Sequence, residues 1–269
     1  MSLKSFPSIF VIAVTCISMN AFAESMNNQL RDKLSHPDNK TSHLSPDSHI
    51  KNKSINESLE LSSVNYTGEA FWDSHYVSEG RNNLYNGGMF SALGKAQYKG
   101  LMAGAWYGIA DTVSYDELNL FLEHGWEFEY FDISAGYTRL EFMKDDADDN
   151  ELSAGLSLTC LPLVVPSVNY VYSTEADGSF VELLLCSPQE LLEGKIIVDP
   201  YILQGVDLGY ASDEYDGWNN TQVGIAVDYN INEAFCLIGT ANHSWDNQDV
   251  RKDGGNEESW ISLGLRMSF

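Results

Sequence analysis

Acidic side chains alternate with apolar ones along several segments of this sequence. In residues 150–160, Leu152, Leu156 and Leu158 alternate with Glu151 and with small polar residues. Successive side chains of a β-strand point to opposite faces, so such strands present one apolar surface and one polar, partly acidic surface. If the polar surface lines a channel, its carboxylates raise the local concentration of cations and repel anions.

The sequence supplies few bases to balance these acids. It holds 39 Asp and Glu against 15 Lys and Arg, a formal net charge of -24, which argues against nucleic acid as a partner. We therefore predict that a channel lined by these residues prefers cations. The alternative is a small barrel whose interior is filled by paired side chains and conducts nothing. The pore-lining candidates are Glu69 or Asp73, Glu117, Glu123, Asp132, Glu151, Glu182 and Asp228, with Arg266 as the main base.

Neighbouring serine and histidine residues are the candidates for nucleophilic catalysis. They occur as Ser74-His75 and His243-Ser244. Adjacent residues of a strand point to opposite faces, so neither pair forms a nucleophile–base dyad by itself. A dyad between strands, such as His75 with a serine of the last strands, leaves a lipid-modifying enzyme open as an alternative. We predict no enzyme, no catalytic residue and no cofactor.

The Asp-rich stretch 144–149 invites a metal interpretation. Its carboxylates, with Asn150, are hard oxygen ligands of the kind that Ca²⁺ prefers. Their spacing does not match an EF-hand, so we interpret the stretch as a solvated acidic loop and predict no metal site. Bridging of the acidic loops to lipopolysaccharide phosphates by divalent cations is a weaker alternative.

The alternating segments are numerous enough to close a barrel. Twelve of them are separated by Gly, Asn and Asp clusters, and single-chain bacterial barrels have an even number of strands. Residues 61–269 are therefore predicted to be all-β, forming a transmembrane antiparallel up-and-down β-barrel of about twelve strands. The predicted strands are 66–78, 89–99, 101–110, 116–127, 130–142, 150–160, 167–174, 178–186, 198–211, 220–230, 235–245 and 257–269.

Connection lengths suggest an orientation. With both strand ends of the barrel in the periplasm, the acidic stretches 144–149 and 212–217 fall in outer loops, and most inner links are short. The one long inner link, 187–197, begins Ser187-Pro188-Gln189-Glu190, which resembles a capping box and predicts a short helix. The last strand ends on Phe269, the predicted signal for the barrel-assembly machinery.

The first 60 residues differ from the rest. Lys4, an apolar run over 9–14 and Ala21-Phe22-Ala23 predict a signal peptide over residues 1–23. Residues 24–60 are polar and hold no aromatic residue, which predicts a disordered periplasmic extension. After the signal, no stretch offers 18 consecutive apolar residues, so a membrane would be crossed by strands.

Aromatic and cysteine residues give two further predictions. Aromatics near strand ends predict girdles at the membrane interfaces, with sugar-stacking platforms as the alternative. Three cysteines follow the signal, namely Cys160, Cys186 and Cys236. Because an odd number argues against a disulfide framework, we predict that all three are buried, unpaired thiols. The girdle candidates are Trp72, Trp106, Trp126, Phe128, Tyr130, Phe131, Trp218, Trp245 and Trp260.

Residues 65–269 also resemble a known family. The run 74–80 (Ser-His-Tyr-Val-Ser-Glu-Gly), then Tyr98-Lys99-Gly100-Leu101, Gly104, Trp106 and 133–137, is similar to the TorF-like porin family of small proteobacterial outer-membrane barrels. The first strand of these proteins commonly reads Ser-x-Tyr-Val-x-Arg-Gly, whereas here Glu79 replaces the arginine and Arg81 follows the glycine. The resemblance implies passage of small solutes and supplies no catalytic residues.

Together these patterns predict a porin-like barrel of the bacterial outer membrane that allows passive diffusion of small hydrophilic solutes or ions and prefers cations. A non-conducting structural or adhesion barrel is the main alternative in function, and a secreted β-sandwich is the alternative in fold. The expected partners are outer-membrane lipids and lipopolysaccharide, the barrel-assembly machinery, and small solutes or cations.

Overall fold

A computed structural model describes residues 64–212 and 215–269. The predicted signal peptide, 1–23, and the predicted extension, 24–60, lie outside the described residues. Within the described ranges, none of the helices has the length and apolar character needed to cross a membrane.

The described chain is built almost entirely of strands. There are fifteen, with one short helix, α1, in the last connection. The strands are β1 (Asn65–Asp73), β2 (Val77–Ser78), β3 (Arg81–Asn82), β4 (Met89–Tyr98), β5 (Leu101–Ala110), β6 (Asp116–Glu127), β7 (Phe131–Phe142), β8 (Ala147–Leu158), β9 (Val165–Ser173), β10 (Gly178–Cys186), β11 (Gln189–Leu191), β12 (Ile196–Leu208), β13 (Gly217–Asn230), β14 (Phe235–Asp246) and β15 (Glu258–Ser268), and α1 spans Gln248–Lys252.

Twelve of these strands form a closed antiparallel barrel. Each pairs with its neighbours along the chain, β10 pairs with β12, and β1 pairs with β15 to complete the ring. β11 pairs with the first residues of β12, Ile196 to Val198, and β2 and β3 form a separate hairpin. At the seam, the backbone N–H groups of Tyr66 and Phe269 donate to each other's carbonyl oxygens at 3.1 and 2.9 Å. The predicted fold class and strand number are confirmed.

The barrel is apolar outside and polar inside. On β15, the outward Ile261 and Leu263 are 49% and 59% exposed, whereas the inward Ser262 is 7% exposed. A secreted β-sandwich would bury its apolar face between two sheets. Because this wall instead exposes the apolar face around the whole ring, its outer surface matches the hydrocarbon of a bilayer.

The two ends of the barrel differ. One, the turn end, has tight connections such as Lys99-Gly100, whose φ angles of 47° and 80° fit a two-residue hairpin turn. The other, the loop end, carries connections 74–88, 111–115, 143–146, 174–177, 209–216 and 247–257. Part of the acidic stretches 144–149 and 212–217, which the sequence assigns to outer loops, lies in these connections, whereas residues 147–149 belong to β8.

The helix predicted over 187–197 is wrong. β11 turns back through Leu192, Glu193 and Gly194, all with positive φ, and pairs with β12 from Ile196. The backbone groups of this segment are satisfied by the neighbouring strand, which outweighs the local capping signal. The helix that does form, α1, lies at the loop end.

Strand parity corrects two further predictions. Trp106 and Trp260 belong to the inward face of β5 and β15 and are 8% and 9% exposed, so they do not contribute to an outer aromatic girdle. Cys160 is exposed rather than buried, because β8 ends at Leu158, whereas Cys186 and Cys236 are buried as expected.

Candidate functional site: the barrel lumen

All of the predicted pore-lining residues occupy inward-facing positions of the wall. Glu117 and Glu151 are 0% and 1% exposed, and Arg266 lies opposite Glu69 across the β1–β15 seam. Glu69 and Asp73 both face inward, four residues apart with Phe71 midway between them. The inward set also includes residues that the sequence analysis did not assign to the pore, namely Lys95, Asp149, Asp199 and Asp207.

Near the turn end, two bases interact with three of the acids. The Arg266 guanidinium donates from Nε to Glu69 Oε1 at 2.8 Å and from Nη1 to Asp228 Oδ2 at 3.0 Å. Lys95 is close enough to Glu123 to interact with it electrostatically. We call this part of the lumen the turn half.

Near the loop end, in what we call the loop half, carboxylates are held by neutral donors. Glu117 accepts hydrogen bonds from the hydroxyls of Tyr76 (2.9 Å) and Tyr115 (2.6 Å) and from Asn119 Nδ2 (2.7 Å). Burial, and then the Glu117 carboxylate, raise the pKa of both tyrosines well above the ordinary range. The two phenols therefore stay protonated and keep donating.

A second group of this kind surrounds Glu151. Tyr210, from loop 209–216, donates its hydroxyl to Glu151 Oε1 and packs its ring against Phe180. Burial, and then Glu151, raise the pKa of Tyr210 well above its ordinary value. Asp207 fixes this loop, because its Oδ1 accepts the backbone N–H of Tyr210 at 2.7 Å.

The first loop folds into the barrel. The wall strand ends at Asp73 instead of continuing to residue 78 as predicted, and residues 74–88, which we call the crossing loop, turn inward. Tyr76 and Leu84 are buried against Met89 and Trp106, and the Tyr76 ring stacks on Trp106 with centroids 6.3 Å apart. These apolar contacts inside the loop end of the barrel take the place of strand pairing. They explain why alternation alone misplaced the end of the first strand.

The far side of the crossing loop is anchored by polar contacts. Arg81 donates from Nη1 to Asn219 Oδ1 at 2.7 Å and from Nη2 to Asp249 Oδ2 at 3.0 Å. Its Nε lies 3.2 Å from Asp253 Oδ2. Asn219 Nδ2 in turn donates to the Glu79 carbonyl oxygen at 2.7 Å.

The acidic residues considered for a metal site have other roles in the structure. Asp149 is buried and accepts hydrogen bonds from Ser173 Oγ (2.5 Å) and the Glu175 N–H (2.9 Å), so it supports a loop. Asp148 pairs with Arg139. In the part of the chain that the structure describes, no set of three or more His, Cys, Asp or Glu is arranged to hold a metal ion.

The histidines of the two Ser-His pairs contact other residues. His75 Nδ1 lies 3.3 Å from Glu258 Oε2. His243 Nδ1 lies 2.8 Å from Ser259 Oγ on the next strand, on the outward face, with its ring edge against Trp245. The cross-strand contact therefore involves His243 rather than His75, and it lies outside the lumen.

Comparison with known proteins shows the fold. The sequence matches no model of a known protein family, and no curated protein matches it. Among solved structures, the KdgM porin is similar with a TM-score of 0.53 at 7% identity, and the KdgM porin in complex with disordered oligogalacturonate with 0.52 at 7%. Both alignments cover 76% of this chain and 99% of the porin. The NanC porin aligns with a TM-score of 0.48 at 9% identity over 76% of this chain and 99% of the porin. The chain thus has the fold of the outer-membrane porin barrels.

Proposed function

We propose that the protein is a porin-like barrel of the bacterial outer membrane through which small hydrophilic solutes and ions diffuse passively, with a preference for cations. The observation that carries the proposal is the inward face of the wall, where carboxylates greatly outnumber Lys95 and Arg266. A narrow passage lined by one sign of charge concentrates the opposite ion.

The acidic lumen argues against an anionic solute. The KdgM porin was solved with oligogalacturonate, a chain of carboxylate-bearing sugars. In this protein the wall of the loop half carries Glu117, Glu151 and Glu182, whose buried carboxylates would act on such a solute through their charge. Like charges would repel it, so we propose a neutral or cationic solute instead.

The surroundings of the barrel are part of the same proposal. The apolar outer face would contact outer-membrane lipids, and the loop end would lie toward lipopolysaccharide, outside the cell. Phe269, paired with Tyr66 at the seam, would be read by the barrel-assembly machinery. Membership of the TorF-like porin family stays a prediction, in which the run 74–80 belongs to the crossing loop rather than to the first strand.

Conductance of the refolded protein in a planar bilayer tests the proposal. We expect single-channel steps, and in a salt gradient a reversal potential with the sign of cation permeation. The preference should weaken as salt rises, because ions screen the lumenal charge over about 10 Å at 0.1 M. An anion-selective reversal potential would overturn the cation preference.

A closed structural or adhesion barrel is the second candidate. It is favoured by the packing of the loop half, where Glu117, Asn119 and Asp207 are 0% exposed. In a closed barrel, paired side chains fill the interior. Folded protein that inserts into bilayers and gives no steps would support this candidate over the porin.

A further inference from the structure

We infer that the crossing loop forms the constriction of this barrel and that Glu79, at its tip, is the residue that determines its preference for cations. The inference rests on the proposed function and names the residue that discriminates between cations and anions. It is carried by where the crossing loop lies and by what faces Glu79.

The crossing loop spans the lumen from one wall to the other. Tyr76 is bonded to Glu117 on β6, whereas Arg81 is bonded to Asn219 on β13. Around the ring, five strands separate β6 from β13 on one side (β5, β4, β1, β15, β14) and five on the other (β7, β8, β9, β10, β12). The loop thus reaches opposite strands, and a solute entering at the loop end must pass beside it.

Glu79 is at the centre of this crossing. Its side chain accepts a hydrogen bond from Ser78 Oγ at 2.6 Å and the residue is 6% exposed. It is close enough to interact electrostatically with Tyr76, with Glu151 on β8, with Glu182 on β10 and with Tyr210. It therefore faces carboxylates on the half of the wall that the loop leaves uncovered.

Two of those carboxylates present unused acceptors. Glu151 and Glu182 are 1% and 5% exposed, and among the described residues no donor bonds to Oε2 of either side chain. The Glu79 carboxylate lies on the loop side and these two carboxylates lie on the wall side, so acidic groups stand on both sides of the gap between loop and wall. Such oxygens can replace part of the hydration of a passing cation and repel an anion.

The backbone at Glu79 is unfavourable for its residue type. Glu79 and Gly80 have φ angles of 44° and 72° at the turn of the β2–β3 hairpin, where Asn-Gly is the favoured pair. A non-glycine residue with positive φ is held there only by its surroundings. Gly80 packs closely on Asn220, since a Cβ atom at this position would lie 2.6 Å from Asn220 Cβ. The fold thus keeps a charge at a position where local preference favours asparagine.

This conflict gives a clean test. Glu79→Asn removes the charge and suits the turn, Glu79→Asp keeps the charge, and Asp146→Asn removes one charge from an exposed loop residue whose φ is also positive, 52°. Reversal potentials are measured for each in a KCl gradient. We expect Glu79→Asn to lower the cation-to-anion permeability ratio about sixfold, because one charge acting over roughly 8 Å of water changes the permeation of the cation and of the anion by about 2.4-fold each, in opposite directions. The two other variants should keep the wild-type ratio.

Replacing residues 75–87 with a short Gly-Ser linker tests the constriction itself, and we expect a higher single-channel conductance than in the wild type. An unchanged ratio in Glu79→Asn, or an unchanged conductance in the linker variant, would overturn this inference while leaving the porin function intact. If neither the wild type nor the linker variant conducts, both this inference and the porin function are overturned. If the wild type is silent and the linker variant conducts, the crossing loop closes the barrel, and this outcome would overturn both the open constriction and the selecting role of Glu79.

Discussion

The two halves of the lumen hold their carboxylates in different ways. In the turn half, Glu69 and Asp228 share the guanidinium of Arg266. In the loop half, Glu117 and Glu151 are held by tyrosine hydroxyls, which carry no charge. The base Arg81, also near the loop end, is engaged by Asp249 and Asp253, so it anchors the crossing loop instead of neutralising the wall.

The difference shows where a cation would be selected. In the turn half, Arg266 and Lys95 offset part of the negative charge of the carboxylates. In the loop half, neutral donors stabilise Glu117 and Glu151 without cancelling any of their charge. Selection would therefore occur in the loop half, beside the crossing loop. Four predictions test whether the halves differ as described, from the largest expected effect to the smallest.

Arg266→Met should destabilise the barrel most. It would leave Glu69 and Asp228 without their shared partner at sites where the three side chains are 5–17% exposed. Breaking a buried pair in this way costs about 3–5 kcal/mol. Urea unfolding in detergent or lipid vesicles would measure the loss. A cost near zero would mean that the turn half does not depend on charge pairing, and Arg266→Lys should lose less than Arg266→Met.

Gly178→Val should disturb the loop half alone. A Cβ atom at Gly178 would lie 2.0 Å from the carbonyl oxygen of Gly209, so loop 209–216 would have to move and carry Tyr210 away from Glu151. We expect a loss of about 1–3 kcal/mol in the same unfolding assay. Gly94→Val is the control, because nothing lies within 4 Å of the Cβ position there. Equal losses in both variants would contradict the close contact.

Removing one hydroxyl should cost more in the loop half than in the turn half. Tyr210→Phe takes away the hydrogen bond to the buried Glu151 carboxylate, which we expect to cost about 1–3 kcal/mol. Tyr201→Phe removes two bonds to neutral amides, one donated to Asn242 Oδ1 at 2.7 Å and one accepted from Gln222 Nε2 at 2.5 Å. Because neither partner is charged and the setting is only partly buried, we expect a cost of about 0.5–1.5 kcal/mol. The reverse order would show that the hydroxyl donors of the loop half are dispensable.

Alkaline pH should loosen the loop half first. An unfolded tyrosine loses its proton at its ordinary pKa of 10.0, whereas burial keeps Tyr76 protonated to a much higher pH in the folded state. The stabilisation is complete below pH 10.0 and falls as the pH rises above it, because only the unfolded state gains from ionisation. Protease accessibility of the crossing loop should therefore rise above pH 10.0. Tyr76→Phe should weaken this pH dependence, and an unchanged dependence would argue against Tyr76 as its source.

Much of the wall was predictable because strand periodicity is a local property. The alternation over 150–160 and 257–269 identifies strands and their inward faces without knowledge of neighbours. The same rule places Glu117, Glu182 and Arg266 on the inward side. It fails at residues 74–78, where apolar side chains are buried by packing on Trp106 instead of by lipid.

The sequence by itself determined the barrel. Alternation set which face of each strand is polar, turn residues set most strand ends but not the end of the first strand, and composition made the lumen acidic. Only the tertiary structure decided what fills that lumen. The side chains that bind Arg81 lie 138 and more residues away, and Glu79 comes near Glu151 and Glu182 only after the ring has closed. Such contacts depend on which strands lie opposite each other across the lumen. The periodicity of a single strand carries no information about the strand across from it.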